Sequence, residues 1–165
     1  MSVEVPAGPA TGVFYRVVHC LSRDPRIAAT RGWYHRREDG ITSYLADSVR
    51  TCEREIRAGL GSWGWVRSHW RVLEVQVELA RVVDLRDPRV RRTLRVKRRS
   101  LMLSHRKDIP QTLGRRLRLQ GIQGILYESV RDRGHTCLVV FLETAGGGLR
   151  WGPSRPLESH SGGNE

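Results

Sequence analysis

Apolar and polar positions alternate along several segments of the chain, and this pattern predicts the strands of a sheet. In residues 71–79 the apolar side chains fall on one face and polar side chains such as Glu74 and Glu78 on the other, which is typical of a half-buried strand. Other short segments are β-branched, aromatic or continuously apolar, as strands in a core are. These further predicted strands cover residues 13–18, 43–46, 124–127 and 138–142.

Capping residues mark three predicted helices, which cover residues 48–58, 88–103 and 110–120. Either Asp47 or Ser48 caps the first helix, and Gly59 is its expected stop. In the second helix Asp87 is the cap and Pro88 occupies the first turn, where its missing N–H removes no helical hydrogen bond.

The order of these elements predicts a single α+β domain with a mixed or antiparallel sheet at its core and helices on its flanks. Strands both flank and interrupt the helices, and 165 residues are enough for one core. We expect a flexible leader over residues 1–11, the folded domain over 12–144 and a disordered tail over 145–165, because the tail is rich in Gly, Ser and Pro.

Composition narrows the class of protein without identifying it. The net charge of +12 favours anionic partners, whether nucleic acid, acidic protein or a phosphate-bearing substrate. The three cysteines form no CxxC pair and the six histidines lack metal-ligand spacing, so we expect neither a disulfide framework nor a metal site. No apolar run is long enough to span a membrane and no signal peptide is evident, so the protein is expected to be cytoplasmic, with no membrane partner.

The densest positive charge lies between Arg89 and Lys107, on the second predicted helix, with nine basic residues and no acidic one. Such a helix can neutralise phosphates, so one hypothesis is a nucleic-acid-binding module without catalysis. No helix-turn-helix, zinc-finger or RNA-binding signature accompanies the segment. A solvated basic face and a docking surface for an acidic protein are the alternatives.

Four polar residues occupy positions where strands or capped helices would hold them: Arg16, Tyr44, Glu55 and Ser129. Arg16 lies inside a strand, and a buried guanidinium needs an anion, either an internal carboxylate or a phosphate or carboxylate of a ligand. Tyr44 alone is typical of a core aromatic, Glu55 of a solvated helix side chain and Ser129 of a turn hydroxyl. None of them alone identifies an active site.

The order of these residues and their surroundings resembles the RES family, named for its arginine, glutamate and serine. The resemblance extends from about Val13 to Phe141 and depends on the segments Phe14-Tyr15-Arg16-Val17, Tyr44 through Glu55, Val82-Val83-Asp84-Leu85, and Gln111 through Phe141. The last segment contains QTLGRRLRLQGIQGILYESVRDRG, with the family's succession of helix, Gly-x-x-Gly, strand and serine.

The resemblance implies an ADP-ribosyltransferase-like fold and an enzyme that acts on NAD. Family members cleave the bond between nicotinamide and ribose by phosphorolysis or hydrolysis, so inorganic phosphate is a possible co-substrate, and some members transfer ADP-ribose to a protein. Most are toxins of bacterial toxin–antitoxin pairs, which implies NAD depletion and a cognate antitoxin. A homo-oligomer is left open. By position, Arg16, Tyr44, Glu55 and Ser129 match the family's functional residues.

The chemistry of this bond suggests a role for each matched residue. Cleavage passes through an oxocarbenium-like state, and Glu55 is the candidate to stabilise its positive charge. Arg16 would pair with the pyrophosphate, Tyr44 would stack on nicotinamide or ribose, and Ser129 would donate to a phosphate or to the carboxamide. Nicotinamide leaves as a neutral molecule, so no general acid is needed.

Two segments depart from the family's pattern. The loop before Tyr44 reads Arg31-Gly32-Trp33-Tyr34-His35, in which the arginine is displaced, and Arg31 is our candidate to replace it in ligand binding. Near the last strand Cys137 stands where many members have asparagine, and His135 is either a ligand-contacting residue or a turn histidine. Whether the acceptor is water, phosphate or a macromolecule is not encoded in a motif.

Overall fold

Two long antiparallel strands, β1 (Gly8–His19) and β3 (Trp70–Asp84), form the centre of the fold. They pair from Gly8 opposite Val82 to His19 opposite Trp70. The computed structural model describes residues 4–28, 32–61, 64–103 and 105–157. Within these residues the other strands are β2 (Thr42–Ala46), β4 (Gly124–Glu128), β5 (Thr136–Phe141), β6 (Leu149–Trp151) and β7 (Arg155–Pro156). The helices are α1 (Val49–Leu60), α2 (Pro88–Leu94), α3 (Arg98–Met102), α4 (Asp108–Leu119) and α5 (Leu142–Ala145).

The sheet closes on itself through β1, β2, β5, β4 and β3, with β6 and β7 on the outer edge of β3. Most neighbours are antiparallel, and β3 and β4 are parallel. The pairing of β1 with β2 consists of one register position, Tyr15 opposite Ala46, so the two strands separate on either side of it. This mixed sheet with flanking helices confirms the predicted α+β class.

The parallel pair of β3 and β4 requires a crossover, which α2, α3 and α4 supply. Asp87 caps α2 by accepting a hydrogen bond from the Arg89 N–H, and Pro88 occupies its first turn. The predicted single helix over residues 88–103 is wrong, because Arg95 adopts a left-handed conformation with φ 58° and ends α2. Its backbone N–H then bonds back into the last turn of α2.

Helix α1 follows β2 directly and carries one of the candidate residues, Glu55. Ser48 is its N-cap and accepts a hydrogen bond from the Thr51 N–H, as one of the two predicted caps. The helix continues past the predicted stop at Gly59 and ends at Leu60. None of the helices in the described ranges is long and apolar enough to cross a membrane.

Both predicted flexible ends contain strand residues. Positions 8–11 of the predicted leader belong to β1, and positions 149–156 of the predicted tail include β6 and β7. Residues 149–151 and 155–156 form strands because the outer edge of β3 offers free backbone groups, and a glycine-rich composition does not prevent pairing with them. Leu157 then lies fully buried among Val17, Cys52 and Val72. Residues 158–165 lie outside the described part of the chain.

Replacing Leu157 tests this ordered C-terminal segment. Leu157→Ala leaves a cavity in a packed cluster, so we expect the free energy of unfolding to fall by about 2–5 kcal/mol in urea denaturation. Leu119→Ala, at a site that is 79% exposed, is the matched control and should change it by less than about 0.5 kcal/mol. Equal effects of the two substitutions would contradict the placement of Leu157 in the core.

Gly114 in α4 marks a close approach between helix and loop. A Cβ at this position would meet the backbone carbonyl oxygen of Tyr34 well inside contact distance. Gly→Ala in a helix normally stabilises by about 1 kcal/mol, but we expect Gly114→Ala to destabilise by roughly 1–3 kcal/mol because the loop must shift. Gly59→Ala in α1, which meets nothing within 4 Å, should stabilise instead. Chemical denaturation of both variants gives the two signs, and stabilisation by both would refute the close approach.

Candidate active site

A cleft of about 380 Å³ opens where β1 and β2 separate. Its volume falls within the range of ligand-binding pockets. Strand residues from β1, β2, β4 and β5 form its floor, and α1 forms one wall. The polar and aromatic side chains that line it are Arg16, Trp33, Tyr44, Glu55, Lys107, Tyr127 and Arg131. Three of the four residues singled out in the sequence, Arg16, Tyr44 and Glu55, therefore share one cavity.

Arg16 bridges the gap between the separated strands. Its Nε donates to the carbonyl oxygen of Pro25 (2.8 Å), Nη1 to that of Tyr44 (3.1 Å) and Nη2 to that of Ile27 (3.1 Å). One of these carbonyls belongs to strand β2 and two belong to the loop before it, and burial lowers the pKa of the guanidinium. Within the described residues Arg16 forms no ion pair, so its positive charge faces the cleft without a counter-ion. A guanidinium also carries more N–H donors than these three hydrogen bonds use.

Tyr44 holds the loop that forms the opposite rim of the cleft. Its hydroxyl accepts a hydrogen bond from the Tyr34 N–H (2.8 Å) and lies 2.8 Å from Nδ1 of the buried His35. Burial raises the pKa of the Tyr44 phenol well above its usual range, so the hydroxyl stays protonated. The backbone of Gly32 lies against the Tyr44 ring, where a Cβ would not fit. The ring is part of the cleft lining, and its hydroxyl is engaged by the protein itself.

Glu55 lies on α1 and is held by the turn that follows β4. Its Oε1 accepts a hydrogen bond from the Ser129 hydroxyl and a longer one, 3.3 Å, from the backbone N–H of Arg131. Two donors on one carboxylate oxygen fix its orientation. The cleft therefore contains a positioned carboxylate and a guanidinium without a counter-ion.

Ser129 lies behind Glu55 rather than in the cleft. It is fully buried, and its Oγ accepts hydrogen bonds from the backbone N–H groups of Asp132 (3.0 Å) and Arg131 (3.3 Å). A hydroxyl has one proton, and here that proton is directed to Glu55. The structure thus gives Ser129 a partner other than the predicted ligand phosphate or carboxamide.

Lys107 and Trp33 form a cationic and aromatic rim that the sequence analysis did not assign to the site. The Lys107 ammonium lies 5.3 Å from the centre of the Trp33 ring, and the Trp33 indole donates to the carbonyl oxygen of Leu101 (2.9 Å). These contacts bring the segment between α3 and α4 to the mouth of the cleft. The signal was not visible in the sequence because the contacts join residues far apart in the chain.

Tyr127, Cys52 and Cys137 complete the floor of the cleft and were also missed as site residues. Burial raises the pKa of the Cys52 thiol to about 12, and it raises those of Cys137 and Tyr127. All three are therefore neutral at physiological pH and contribute shape and apolar surface. Tyr127 and Cys137 lie on strands and Cys52 on α1, positions that gave all three the appearance of ordinary core residues.

His135, another candidate, is not among the residues that line the cleft. His135 is half-exposed, and its Nδ1 lies 3.2 Å from a carboxylate oxygen of Asp47, as expected for a turn histidine. Arg31 lies outside the described residues. In the ranges that the structure describes, no group of three or more His, Cys, Asp or Glu side chains could hold a metal ion.

The basic segment from Arg89 to Lys107 does not form the continuous helix expected of it. The break at Arg95 divides it, and Arg89, Arg98 and Arg106 are ion-paired with neighbouring carboxylates. Three of the nine basic side chains that suggested nucleic-acid binding are therefore paired within the fold, and a fourth, Lys107, lines the cleft.

Comparisons with known proteins place this geometry in a family. The sequence model of the RES domain matches residues 15–158, which include every strand after the first half of β1. A chain of the M. tuberculosis MbcT–MbcA toxin–antitoxin complex shares the fold, with a TM-score of 0.71 and 21% identity over 90% of this chain and 85% of that chain. No curated protein matches the sequence. Because the family's domain covers most of its length, the chain belongs to the RES domain family.

Proposed function

We propose that the protein consumes NAD by cleaving the bond between nicotinamide and ribose. The observation that carries the proposal is that one cleft contains both a Glu55 carboxylate held by two donors and an Arg16 guanidinium without an ion-pair partner among the described residues. NAD has the complementary charges, a cationic nicotinamide ring and an anionic pyrophosphate. Arg16 is suited to the pyrophosphate because its unused N–H groups can bind phosphate oxygens. Lys107 and Arg131 add positive charge at the rim.

Glu55 is the residue that would accelerate bond cleavage. The bond between ribose C1′ and the nicotinamide nitrogen breaks, its electron pair passes to the ring, and neutral nicotinamide leaves. Positive charge then develops on the ribose, where a fixed carboxylate lowers the barrier. C1′ bonds to an oxygen of water or inorganic phosphate, and the proton that water loses passes to solvent. Because nicotinamide leaves neutral, one carboxylate is sufficient.

Arg16 and Tyr44 would orient the substrate instead of reacting with it. Both side chains are fixed by hydrogen bonds to the protein before any ligand enters, Arg16 to three carbonyls and Tyr44 to the Tyr34 N–H. A preorganised site loses little entropy when it binds its substrate in a reactive geometry. The Tyr44 ring presents an apolar face on which nicotinamide or ribose can pack.

The biological role that fits this activity is that of a toxin that depletes NAD and is controlled by a cognate antitoxin. Membership of the RES domain family and the fold shared with a chain of the MbcT–MbcA toxin–antitoxin complex support this role. We expect the enzyme to act in the cytoplasm, and the antitoxin would bind it there. Inorganic phosphate is the proposed co-substrate in the phosphorolytic form of the reaction.

Substituting Glu55 tests the proposed activity. We expect the purified protein to consume NAD and release nicotinamide, and Glu55→Gln to slow this by about 10²-fold or more, because the amide keeps the shape and removes the charge. Glu78→Gln, on the exposed face of β3, is the matched control and should keep full activity. Chromatography of the products with and without inorganic phosphate separates phosphorolysis from hydrolysis. Intact NAD at high concentrations of folded protein would refute free NAD cleavage, and label from NAD on a protein would indicate ADP-ribosyl transfer.

Ser129→Ala tests whether the serine acts through Glu55. A hydrogen bond to a charged group contributes about 1.5–3 kcal/mol. If Ser129→Ala removes that much stabilisation of Glu55 in the transition state, we expect kcat to fall roughly 10- to 10²-fold. KM should change little, because the fully buried hydroxyl cannot touch substrate. Ser43→Ala is the control, since the buried Ser43 hydroxyl has no hydrogen-bond partner among the described residues and its loss should leave kcat unchanged. A rise in KM with constant kcat would instead place Ser129 in contact with the substrate.

A further inference from the structure

The turn of residues 129–135 between β4 and β5 contains an aspartate that the sequence did not single out. Asp132 is buried, which is unusual for a carboxylate and requires partners. Its Oδ1 accepts from Nη1 of Arg54 (2.6 Å), and its Oδ2 accepts from the Thr51 hydroxyl (3.0 Å). Both partners lie on α1, and Thr51 is one helical turn before Glu55, on the same face.

The hydrogen bonds around the Asp132 carboxylate allow one assignment of donors and acceptors. The Thr51 hydroxyl has a single proton, which goes to the Asp132 carboxylate, so the Ser48 hydroxyl (2.7 Å) must donate to Thr51. Ser48 in turn accepts from the Thr51 N–H as the cap of α1. The side chain of Asp132 is therefore the end of the network that starts at the N-terminus of α1.

The backbone of Asp132 acts on the other side of the same turn. Its N–H donates to Ser129 Oγ (3.0 Å), and the Ser129 proton is directed to Glu55. Val130 and Arg131, between these two residues, line the cleft. Asp132 thus acts in two ways. Its carboxylate fastens the turn of residues 129–135 to α1, and its backbone N–H orients the Ser129 hydroxyl, which in turn holds Glu55.

We propose that Asp132 is a positioning residue for Glu55, with Arg54 and Thr51 as the contacts through which it acts. This inference rests on the proposed function, since it concerns the rate of the reaction assigned to Glu55. An amide at position 132 is a poor replacement for the carboxylate, because it loses the charge that pairs with Arg54, and its NH2 group can face Thr51 only if the Thr51 and Ser48 hydroxyls both reverse direction. The turn then loses a contact to α1, and the Ser129 hydroxyl moves relative to Glu55.

A second ion pair on α1 provides a matched control. Arg67 and Glu53 are 2.6 Å apart with side-chain exposures of 41% and 16%, and Arg54 and Asp132 are 2.6 Å apart with 44% and 7%. Both pairs fasten α1, but the pair of Arg67 and Glu53 does not involve the turn of residues 129–135. Comparing Arg54→Gln with Arg67→Gln therefore separates loss of an ion pair from loss of positioning.

The test measures NAD turnover, thermal unfolding and amide hydrogen exchange of wild type, Asp132→Asn, Arg54→Gln and Arg67→Gln. We expect Asp132→Asn to lower kcat by about 10²-fold and Arg54→Gln by a smaller factor of about tenfold, with KM within about twofold, as a displaced catalytic group would. Arg67→Gln should lower Tm with kcat unchanged. Arg54→Lys should recover part of the loss, and peptides of residues 129–135 should exchange faster in Asp132→Asn and Arg54→Gln only.

Two results would overturn the proposal. One is unchanged kcat in folded Arg54→Gln and Asp132→Asn, and the other is a loss of kcat in Arg67→Gln as large as in Arg54→Gln for the same change in Tm. If Asp132→Asn does not fold, the half-exposed Arg54 still provides the comparison. Failure of the proposed function appears separately, as absence of NAD turnover in wild type, and then the exchange measurement alone decides whether the turn depends on Asp132.

Discussion

The three hydrogen bonds from Arg16 to backbone carbonyls are the interaction on which the architecture of the cleft depends. β1 and β2 pair at one position, so beyond it their backbone groups need other partners. Arg16 reaches from β1 to Tyr44 on β2 and to Pro25 and Ile27 in the preceding loop. The guanidinium thus spans the opening between β1 and β2 and gives one strand carbonyl and two loop carbonyls a hydrogen-bond partner there.

The same contacts leave the charge of Arg16 available for the anionic substrate of the proposed function. Carbonyl oxygens stabilise a buried guanidinium by hydrogen bonding but do not neutralise its charge, whereas a carboxylate would do both. The sequence left open whether its partner was an internal carboxylate or a ligand, and in the described residues no internal carboxylate pairs with it. Arg16 would then both hold the carbonyls at the opening and bind the substrate. A loss of activity on replacing Arg16 therefore has to be compared with the change in stability of the same variant.

Local patterns in the sequence predicted most of the fold, and long-range contacts account for what they did not predict. Alternation located β3, apolar, β-branched or aromatic segments located the other four of the first five strands, and the caps at Ser48 and Asp87 located the starts of two helices. The left-handed Arg95 has no sequence signal, because glycine or asparagine usually occupies that conformation. The strands of the C-terminal segment were missed because Arg155 pairs with Val72, a contact that composition cannot reveal.

The residues of the candidate site also fall into those that the sequence predicted and those that only the structure shows. Arg16, Tyr44 and Glu55 were recognisable by their order, and the structure brings them to one cleft. The direct partner of Ser129 was not recognisable, because Ser129 and Glu55 are 74 residues apart and a hydroxyl gives no sign of which atom receives its proton. Asp132 was missed for a related reason: its importance depends on burial, which one isolated aspartate in a polar turn does not indicate.

The net charge of +12 is a weaker guide to function than the few charges near the cleft. At physiological ionic strength, fields between exposed charges are screened within about 8 Å, so distant arginines contribute mainly to the approach of an anion. Arg16 is shielded from this screening by burial, and Glu55 is held against the same cavity. Under the proposed function these two groups would favour a dinucleotide with one cationic end over a uniformly anionic nucleic acid, because a polyanion would place a phosphate, and not a cation, against the carboxylate of Glu55.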